Sequence, residues 1–246
     1  KGWELSVSWR DKLSNGLGYG ATLVMSDAMS TILSYPNETN NISKYYRGRK
    51  LGEIWGYETN GLAKTDEEMK SHLASLPNGG QNALGTNWAA GDIMYKDLNG
   101  DGKIDGGQGV LGNTGDRKVI GNETPRYNFG LTLNAEYKGF DLSAYFTGAA
   151  RTSTFFEDRT FWPFASGMGF FNVFKEIYDN RWTPETAGAA KYPVVTDGFN
   201  VQSMRRSTVW QKDASYLRLK NLEVGYTLPK KVVSKLKINN LRVFVN

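Results

Sequence analysis

The sequence predicts an all-β fold built from antiparallel hairpins, and three observations support this prediction. The first is a strict alternation of apolar and polar residues over runs of about ten residues, the strongest strand signal in a sequence. The second is the placement of turn residues, such as Asn15-Gly16, between consecutive runs. The third is the very unequal length of the connections between hairpins, which bears on the kind of β-fold.

The first predicted hairpin occupies residues 2–26. Residues 2–10 and 17–26 both alternate with a period of two, and a turn over 11–16 joins them. The apolar face of the first run carries Trp3, Leu5, Val7 and Trp9. The apolar face of the second run carries Tyr19, Ala21, Leu23 and Met25.

Two further hairpin units follow the same pattern. Residues 126–148 form the second unit, with its turn at Lys138-Gly139. The third unit begins at Ser215, and its apolar parity slips at Lys220-Asn221, which a β-bulge would explain. Residues 229–239 connect it to a last strand and have room for one helical turn.

The lengths of the connections separate two kinds of β-fold. Alternation alone fits a β-sandwich with one solvated face as well as a transmembrane β-barrel. Short connections at 11–16, 138–139 and 229–239 alternate with long ones at 27–125 and 149–214. Short turns at one rim and long loops at the other are typical of an outer-membrane barrel. The sequence therefore predicts a segment of a large antiparallel transmembrane β-barrel with long extracellular loops.

Six strands cannot close such a barrel, because bacterial barrels have at least about eight strands. We therefore expect residues 1–246 to be part of a larger barrel domain that is truncated at both ends. The expected polar faces carry Glu, Asn, Asp, Ser, Thr and Gly, as a water-filled lumen requires. Aromatic residues near the strand ends are expected to lie at the membrane interfaces.

Composition excludes several classes of site. The chain has no Cys, so neither a disulfide nor a thiolate metal site is possible. His72 is the single histidine, which excludes a multi-His zinc site and makes a Ser-His-Asp triad improbable. The net charge of +5 comes without a long basic run, which argues against nucleic acid as a partner. No spacing selects a catalytic carboxylate pair, so we predict that the protein is not an enzyme.

One segment has the spacing of a calcium loop. Oxygen-bearing side chains occupy positions 1, 3, 5 and 9, glycine occupies position 6, and Ile104 supplies the apolar anchor. Position 12 is Gln108 rather than an acid, and the nearest downstream acid is Asp116. The predicted metal ligands are Asp97, Asn99, Asp101, the carbonyl of Lys103, Asp105 and Asp116. The alternative is an Asp/Asn/Gly-rich turn that binds no metal.

Aromatic residues cluster in both long connections. The first holds Tyr45, Tyr46, Trp55 and Tyr57, and the second holds Phe155, Phe156, Phe161, Trp162, Phe164, Phe170, Phe171, Phe174, Tyr178 and Trp182. Such residues stack on sugar rings or contact partner proteins, or they form a local core. A local core is the favoured interpretation of the Phe cluster. Trp162, Tyr178 and Trp182 are the predicted substrate-binding residues. A short helix is expected near 66–73, capped near Thr65.

Several stretches, taken in order, resemble the C-terminal barrel region of SusC/RagA-type TonB-dependent outer-membrane transporters of Bacteroidota. One is Gly-Glu-Ile-Trp-Gly-Tyr-Glu-Thr-Asn-Gly at 52–61, and another is Lys-Gly-Phe-Asp-Leu-Ser at 138–143. The others are residues 2–5, 91–105, 116–125, 181–185, 216–229 and 241–243. The chain differs from the family at one place, because residues 106–115 add about eight residues before the acid at Asp116.

The resemblance implies the outer membrane as the location and a 22-stranded barrel as the fold. It also implies a SusD-like surface lipoprotein as a lid, and import of oligosaccharides or peptides driven through the TonB complex. The plug domain and the final strand are expected outside residues 1–246. Short connections should then face the periplasm and long ones the exterior.

Two other functions remain open from the sequence. One is a secreted β-sandwich carbohydrate-binding module with structural calcium. The other is a β-rich glycoside hydrolase.

Overall fold

The computed structural model describes residues 1–157, 161–164, 173–196 and 200–246, and the chain divides into two compact units. Unit 1 comprises Lys1–Ser30, Pro125–Thr152 and Ala214–Asn246, and contains the predicted hairpins. Unit 2 comprises Thr31–Thr124 and Ser153–Asp213, which are the two long connections. Among the helices of the described residues, none has the length and apolar character needed to cross a membrane.

Strands make up most of unit 1, and unit 2 has shorter strands among its described residues. In chain order they are β1 (Gly2–Lys12), β2 (Gly18–Ala28), β3 (Glu53–Tyr57), β4 (Thr59–Leu62), β5 (Ile93–Tyr95), β6 (Arg117–Asn122), β7 (Tyr127–Tyr137), β8 (Phe140–Ala150), β9 (Ser153–Phe155), β10 (Gln211–Asp213), β11 (Tyr216–Thr227) and β12 (Arg242–Val245). The helices are α1 (Asp66–Ala74), α2 (Lys175–Asp179) and α3 (Lys230–Val233), with a 3₁₀ turn at Ser234–Leu236. The helical turn expected in the last short connection is therefore present.

Unit 1 is one antiparallel sheet with strand order β1-β2-β7-β8-β11-β12. All three predicted hairpin units are confirmed, and β1, β2 and β8 run slightly longer than expected. The register of β8 and β11 shifts between Leu219 and Asn221, which confirms the bulge predicted at Lys220-Asn221. Because the bulge adds one residue, Leu219 and Leu222 point to the same face although their numbers differ in parity.

The two faces of this sheet differ in chemistry. One register row across five strands is entirely apolar and consists of Val7, Leu23, Leu131, Phe146 and Leu219. The next row, on the opposite face, consists of Ser8, Thr22, Thr132, Tyr145 and Asn221. The apolar face is exposed, as the 63% exposure of Trp9 illustrates. The sheet thus has an exposed apolar face and a polar face.

All three short connections lie at the same end of the sheet of unit 1. The pairs Lys12–Gly18, Tyr137–Phe140 and Thr227–Arg242 close the hairpins there. Arg242 makes ion pairs with Asp141 and Glu223 on the strands near this end. The long connections begin and end at the opposite end, where β2, β7, β8 and β11 finish or start.

Unit 2 is a folded unit rather than a pair of independent loops. Residues from both long connections bond to each other: the hydroxyl of Tyr95 donates to Gln202 O at 2.7 Å, and Ser203 Oγ donates to Asp92 Oδ1 at 3.2 Å. Its buried apolar residues form three clusters. The largest contains Tyr57, Leu76, Leu84, Ile93, Tyr95 and Ile104.

The predicted short helix is confirmed as α1. Thr65 is its N-cap, since Thr65 Oγ1 accepts a hydrogen bond from Glu68 N at 3.2 Å. His72 Nε2 lies 3.1 Å from Gln81 Oε1, and this contact is part-buried. His72 thus has a buried side chain, Gln81, as its neighbour.

Candidate functional site

The aspartate loop (residues 97–105) follows β5 in unit 2 and ends on a buried anchor. Ile104 is 0% exposed and packs in the cluster with Tyr57 and Tyr95, so its predicted anchoring role is confirmed. Ile104 N also donates to Gly80 O at 2.7 Å. Gly102 has φ of +77°, and a Cβ there would lie 3.0 Å from Asn78 Nδ2. Glycine at position 6 is therefore required by both conformation and space.

The carboxylates of the aspartate loop accept hydrogen bonds from its own backbone. Asp97 Oδ1 and Oδ2 accept from Gly100 N at 2.7 Å and Gly102 N at 2.9 Å. Asp101 Oδ1 accepts from Lys103 N at 3.2 Å, and Asn99 Oδ1 accepts from Asp101 N at 3.0 Å. These bonds fold the segment into a tight series of Asx turns.

Asp116 lies beside the aspartate loop despite the residues inserted before it. Its side chain is 0% exposed, with Oδ1 accepting from Leu98 N and Oδ2 from Asp105 N, both at 2.8 Å. Burial raises the pKa of Asp116, and the nearby carboxylates of Asp97 and Asp101 raise it further. The sequence left the participation of Asp116 open, and the structure places it against both ends of the loop.

The inserted loop (residues 106–115) is closed at its base, which explains this placement. Asp116 N donates to Asp105 O at 2.9 Å, and Gly107 and Gly115 pack backbone to backbone. Both glycines have positive φ, +52° and +58°, so the chain reverses there without a Cβ clash. Farther out, Ile42 N donates to Gly109 O at 2.9 Å. The insertion thus leaves the aspartate loop and returns to it at the same point.

Deletion of residues 107–114 is expected to leave Asp116 in place. The two remaining residues span the closed base, so the bonds from Leu98 and Asp105 to Asp116 should persist. The loss of two backbone bonds to residues 40–42 should cost about 1–3 kcal/mol. Thermal unfolding of the deletion variant measures this cost. Asp116→Ala is the comparison, and a deletion that destabilised the protein more than this substitution would contradict the closed-base interpretation.

The side chain of Lys103 pairs with an acid of the aspartate loop, since its ammonium lies 2.7 Å from Asp105 Oδ2. This contact lowers the pKa of Asp105 and raises the pKa of Lys103. A cation from the protein itself therefore already pairs with the carboxylate at position 9. Metal ligation by the carbonyl of Lys103 stays a prediction.

The donor atoms of the predicted ligands suit calcium, but the carboxylates are not grouped around one position. All are oxygen donors, as a hard cation prefers. In the part of the chain that the structure describes, however, no three His, Cys, Asp or Glu side chains are grouped so as to hold a metal ion. Calcium at this loop therefore stays a prediction.

The three predicted substrate-binding aromatics lie in different surroundings. Trp162 packs against the buried cluster of Ile177, Tyr192 and Trp210, with its ring centroid 6.4 Å from that of Trp210. The ring of Trp182 lies close against Gly91, where a Cβ would be 2.8 Å from it. Tyr178 is 53% exposed, with the Arg181 guanidinium 3.7 Å from its ring centroid. Of the three, Tyr178 is the one with a largely accessible ring.

The Phe residues of the second long connection mostly form a local core, as expected. Phe155 is buried, and Phe156 stacks on Phe161 at 4.7 Å. Phe161 in turn stacks on Phe174, and the side chain of Phe174 is 47% exposed. Phe170 and Phe171 lie outside the described residues.

Two buried polar groups of unit 2 carry structural roles that the sequence did not indicate. Gln81 is 0% exposed, accepts from Tyr95 N at 2.5 Å and donates to Ile93 O at 3.1 Å. Asp92 is also buried, and burial raises the pKa of its carboxyl, while Ala89 N and Ser203 Oγ donate to it. No local pattern indicates the buried role of either residue, since their partners are backbone groups or lie far along the chain.

Comparisons with known proteins agree with the predicted resemblance. No family model matches the chain. It is 28% identical over 200 residues to TonB-dependent receptor P3 of Formosa agariphila, covering 81% of this chain and 17% of that protein. It is 24% identical over 259 residues to TonB-dependent receptor P26 of the same organism, covering 100% of this chain and 24% of that protein. The chain thus spans a quarter or less of these relatives.

Solved structures of the RagAB peptide importer share the fold. The match to its open-open state has a TM-score of 0.57 at 19% identity and covers 99% of this chain and 24% of that chain. The match to its closed-closed state has a TM-score of 0.61 at 17% identity and covers 100% of this chain and 26% of that chain. These findings confirm the resemblance to SusC/RagA-type TonB-dependent transporters and the assignment to an all-β barrel segment.

Proposed function

We propose that this chain, which resembles the SusC/RagA-type TonB-dependent transporters, forms part of the wall and of the external segments of an outer-membrane nutrient importer. The observation that carries the proposal is the sheet of unit 1, with an exposed apolar face on one side and polar side chains on the other. Lipid would cover the apolar face, and the polar face would line an aqueous lumen.

The dimensions of the sheet support a membrane-crossing role. Strands β1, β2, β7 and β8 each have 11 residues. A tilted transmembrane strand needs about 9–11 residues to cross the hydrocarbon core. Trp3 and Tyr127 lie near one end of the strands, and Tyr137 and Phe140 near the other, where aromatic side chains favour the membrane interfaces.

The connections support an orientation. Short connections at one end of the sheet and long connections that begin at the other match the periplasmic turns and extracellular loops of outer-membrane barrels. Unit 2 would then face the exterior, where a SusD-like lipoprotein lid could dock and where an incoming oligosaccharide or peptide first meets the protein. Its exposed ring at Tyr178 is the proposed contact for substrate. Energy would come from the TonB complex acting through a plug domain.

A binding or transport role is favoured over catalysis. The relatives are named as receptors and importers. The alternative of a secreted β-sandwich module requires a second sheet over the apolar face, whereas Trp9, Val7 and Leu217 are each more than half exposed. A lipid-covered face accounts for this exposure directly.

Membrane fractionation of cells that express the full-length parent protein tests the proposed function. We expect the protein in the outer-membrane fraction, released only by detergent, with a folded form that migrates differently before and after boiling. Recovery as soluble periplasmic protein would contradict the proposal. Growth on candidate glycans and peptides, compared with a deletion strain, would then identify the substrate class.

We also propose that Ca²⁺ binds at the aspartate loop with Asp116 as a ligand. The oxygen donors of Asp97, Asn99 and Asp101 support this proposal, as does the buried carboxylate of Asp116 beside two further carboxylates. A divalent cation would offset their mutual repulsion.

Thermal unfolding of the full-length protein in detergent tests for calcium. At about 100 times the dissociation constant, bound Ca²⁺ should add about 2.7 kcal/mol of stability. We expect this gain over EDTA in the unaltered protein and in the control Glu67→Gln, and its loss in Asp116→Asn. Equal stability in Ca²⁺ and EDTA for a correctly folded protein would exclude the site, and terbium luminescence gives an independent readout.

A further inference from the structure

The short-connection end of unit 1 (residues 12–17, 138–139 and 228–241) is rich in lysine. Its last connection (residues 228–241) carries four lysines and no acidic residue: Lys230, Lys231, Lys235 and Lys237. Lys12 and Lys138 lie at the other two short connections, close to the acidic residues Asp11 and Glu136. The net charge of the whole chain is +5, so the remainder of the chain is close to neutral. The positive charge of the protein is therefore concentrated at one end of the sheet.

All six lysines are exposed. Within the described residues none of them makes an ion pair, whereas Arg242 nearby is already paired with Asp141 and Glu223. Lys138 has φ of +49° at the tip of its hairpin, with Nζ 5.0 Å from the ring centroid of Tyr137. The ammonium groups are thus free to meet an anionic partner.

Exposed apolar side chains lie among these lysines. Val232 and Ile238 are exposed in the last short connection, while Val233 between them is buried and holds the helical turn in place. Phe140, at the start of β8, is 58% exposed. Lysines beside exposed apolar groups are typical of segments at the boundary between lipid headgroups and acyl chains, because the long lysine stem reaches from one to the other.

The lysines form a line rather than a pocket. The three short connections join successive pairs of strands in the sheet, β1–β2, β7–β8 and β11–β12. Neighbouring connections are therefore two strands, or about 10 Å, apart. This spacing is close to the Debye length of about 8 Å at physiological ionic strength, so the charges act together on a charged surface. An extended row of flexible cations suits a surface of many anionic groups better than a single ion.

We propose that the short-connection end binds the anionic phospholipid headgroups of the adjacent membrane leaflet. This inference rests on the proposed membrane-spanning function. It commits to lipid because Lys138 lies next to Tyr137 and Phe140, on the face that lipid would cover. In addition, the lysines of the last connection lie beside exposed Val232 and Ile238. The phosphate and glycerol-phosphate groups of such lipids would pair with the ammonium groups and hold this end of the sheet at the headgroup level.

Lipid titration of the full-length protein tests this inference. The purified, delipidated protein in a neutral detergent is titrated with phosphatidylglycerol, cardiolipin or phosphatidylcholine, and bound lipid is counted by native mass spectrometry. The test variant is K230Q/K231Q/K235Q/K237Q. The matched control K44Q/K64Q/K70Q/K191Q removes the same charge from exposed lysines of unit 2.

We expect the unaltered protein to bind the anionic lipids at least tenfold more tightly than phosphatidylcholine. The test variant should lose tenfold or more of that affinity, the control less than twofold, and the arginine version of the test variant should retain it. Equal loss in test and control variants, or no preference for anionic lipid, would overturn the proposal. Binding of an acidic peptide that displaces the lipid at equal affinity would also overturn it, in favour of a protein partner.

Different results would refute the proposed membrane function and the proposed lipid binding. Recovery of the parent protein as a soluble protein would refute the membrane location. An outer-membrane protein that transports normally but shows no anionic-lipid preference would refute only the role of the lysines.

Discussion

Replacement of Leu131 by arginine is expected to destabilise the membrane-inserted sheet by about 2–4 kcal/mol, the cost of a cation at the lipid face near the bilayer midplane. Leu131 lies at the middle of β7, in the apolar row between Leu23 and Phe146. A guanidinium there could reach water only by deforming the bilayer. Urea-dependent folding of the full-length protein into lipid vesicles would measure the loss.

Thr132→Arg is the matched control, because Thr132 is the next residue of the same strand and lies on the opposite face. A cation on a water-filled lumen should change the folding free energy by less than about 1 kcal/mol. Equal losses at both positions would contradict the assignment of one face to lipid and the other to water. This pair of variants therefore tests the assignment of the two faces.

Truncation of Trp210 to alanine is expected to cost unit 2 about 3–5 kcal/mol. Its side chain is 2% exposed, stacks on Tyr192 with ring centroids 5.6 Å apart, and donates from Nε1 to Ser203 O at 2.7 Å. The substitution removes the packing and leaves a buried carbonyl without its donor. Limited proteolysis of the full-length protein should show earlier cleavage within residues 31–124 and 153–213.

Tyr178→Ala serves as the control for this prediction, since Tyr178 also lies in the second long connection but is largely exposed. Its effect on proteolysis should be small. The heat-modifiable migration of the barrel should stay unchanged in both variants, because β1, β2, β7, β8, β11 and β12 are hydrogen-bonded to one another in one sheet. Loss of that migration in Trp210→Ala alone would show that folding of the sheet depends on unit 2.

Features that depend on neighbouring residues were predictable from the sequence. The alternation in residues 2–10 predicts both the strand and the residues on each of its faces, because side chains of a strand point alternately to opposite sides. The parity slip near Lys220 located the bulge for the same reason. Thr65 and Ile104 were identified as a helix cap and a loop anchor because each belongs to a local pattern with a known geometry.

Features that depend on distant residues were not predictable. The bonds from Tyr95 to Gln202 and from Ser203 to Asp92 join segments more than 100 positions apart. No local pattern marks Gln81 as buried, since its partners include backbone groups of Ile93 and Tyr95 in β5. Trp162 and Tyr178 look alike in composition, and only packing distinguishes the half-buried ring from the exposed one.

When the two ends of a loop contact each other, the number of residues between them can vary without moving the ends. The inserted loop leaves at Asp105 and returns at Asp116, which bond to each other through Asp116 N and Asp105 O. Gly112, at its tip, has open space around it. Residues can therefore be gained or lost there over evolutionary time without moving the buried carboxylate next to it. For the same reason, a short epitope tag placed after Leu111 should be displayed without disturbing the core beneath.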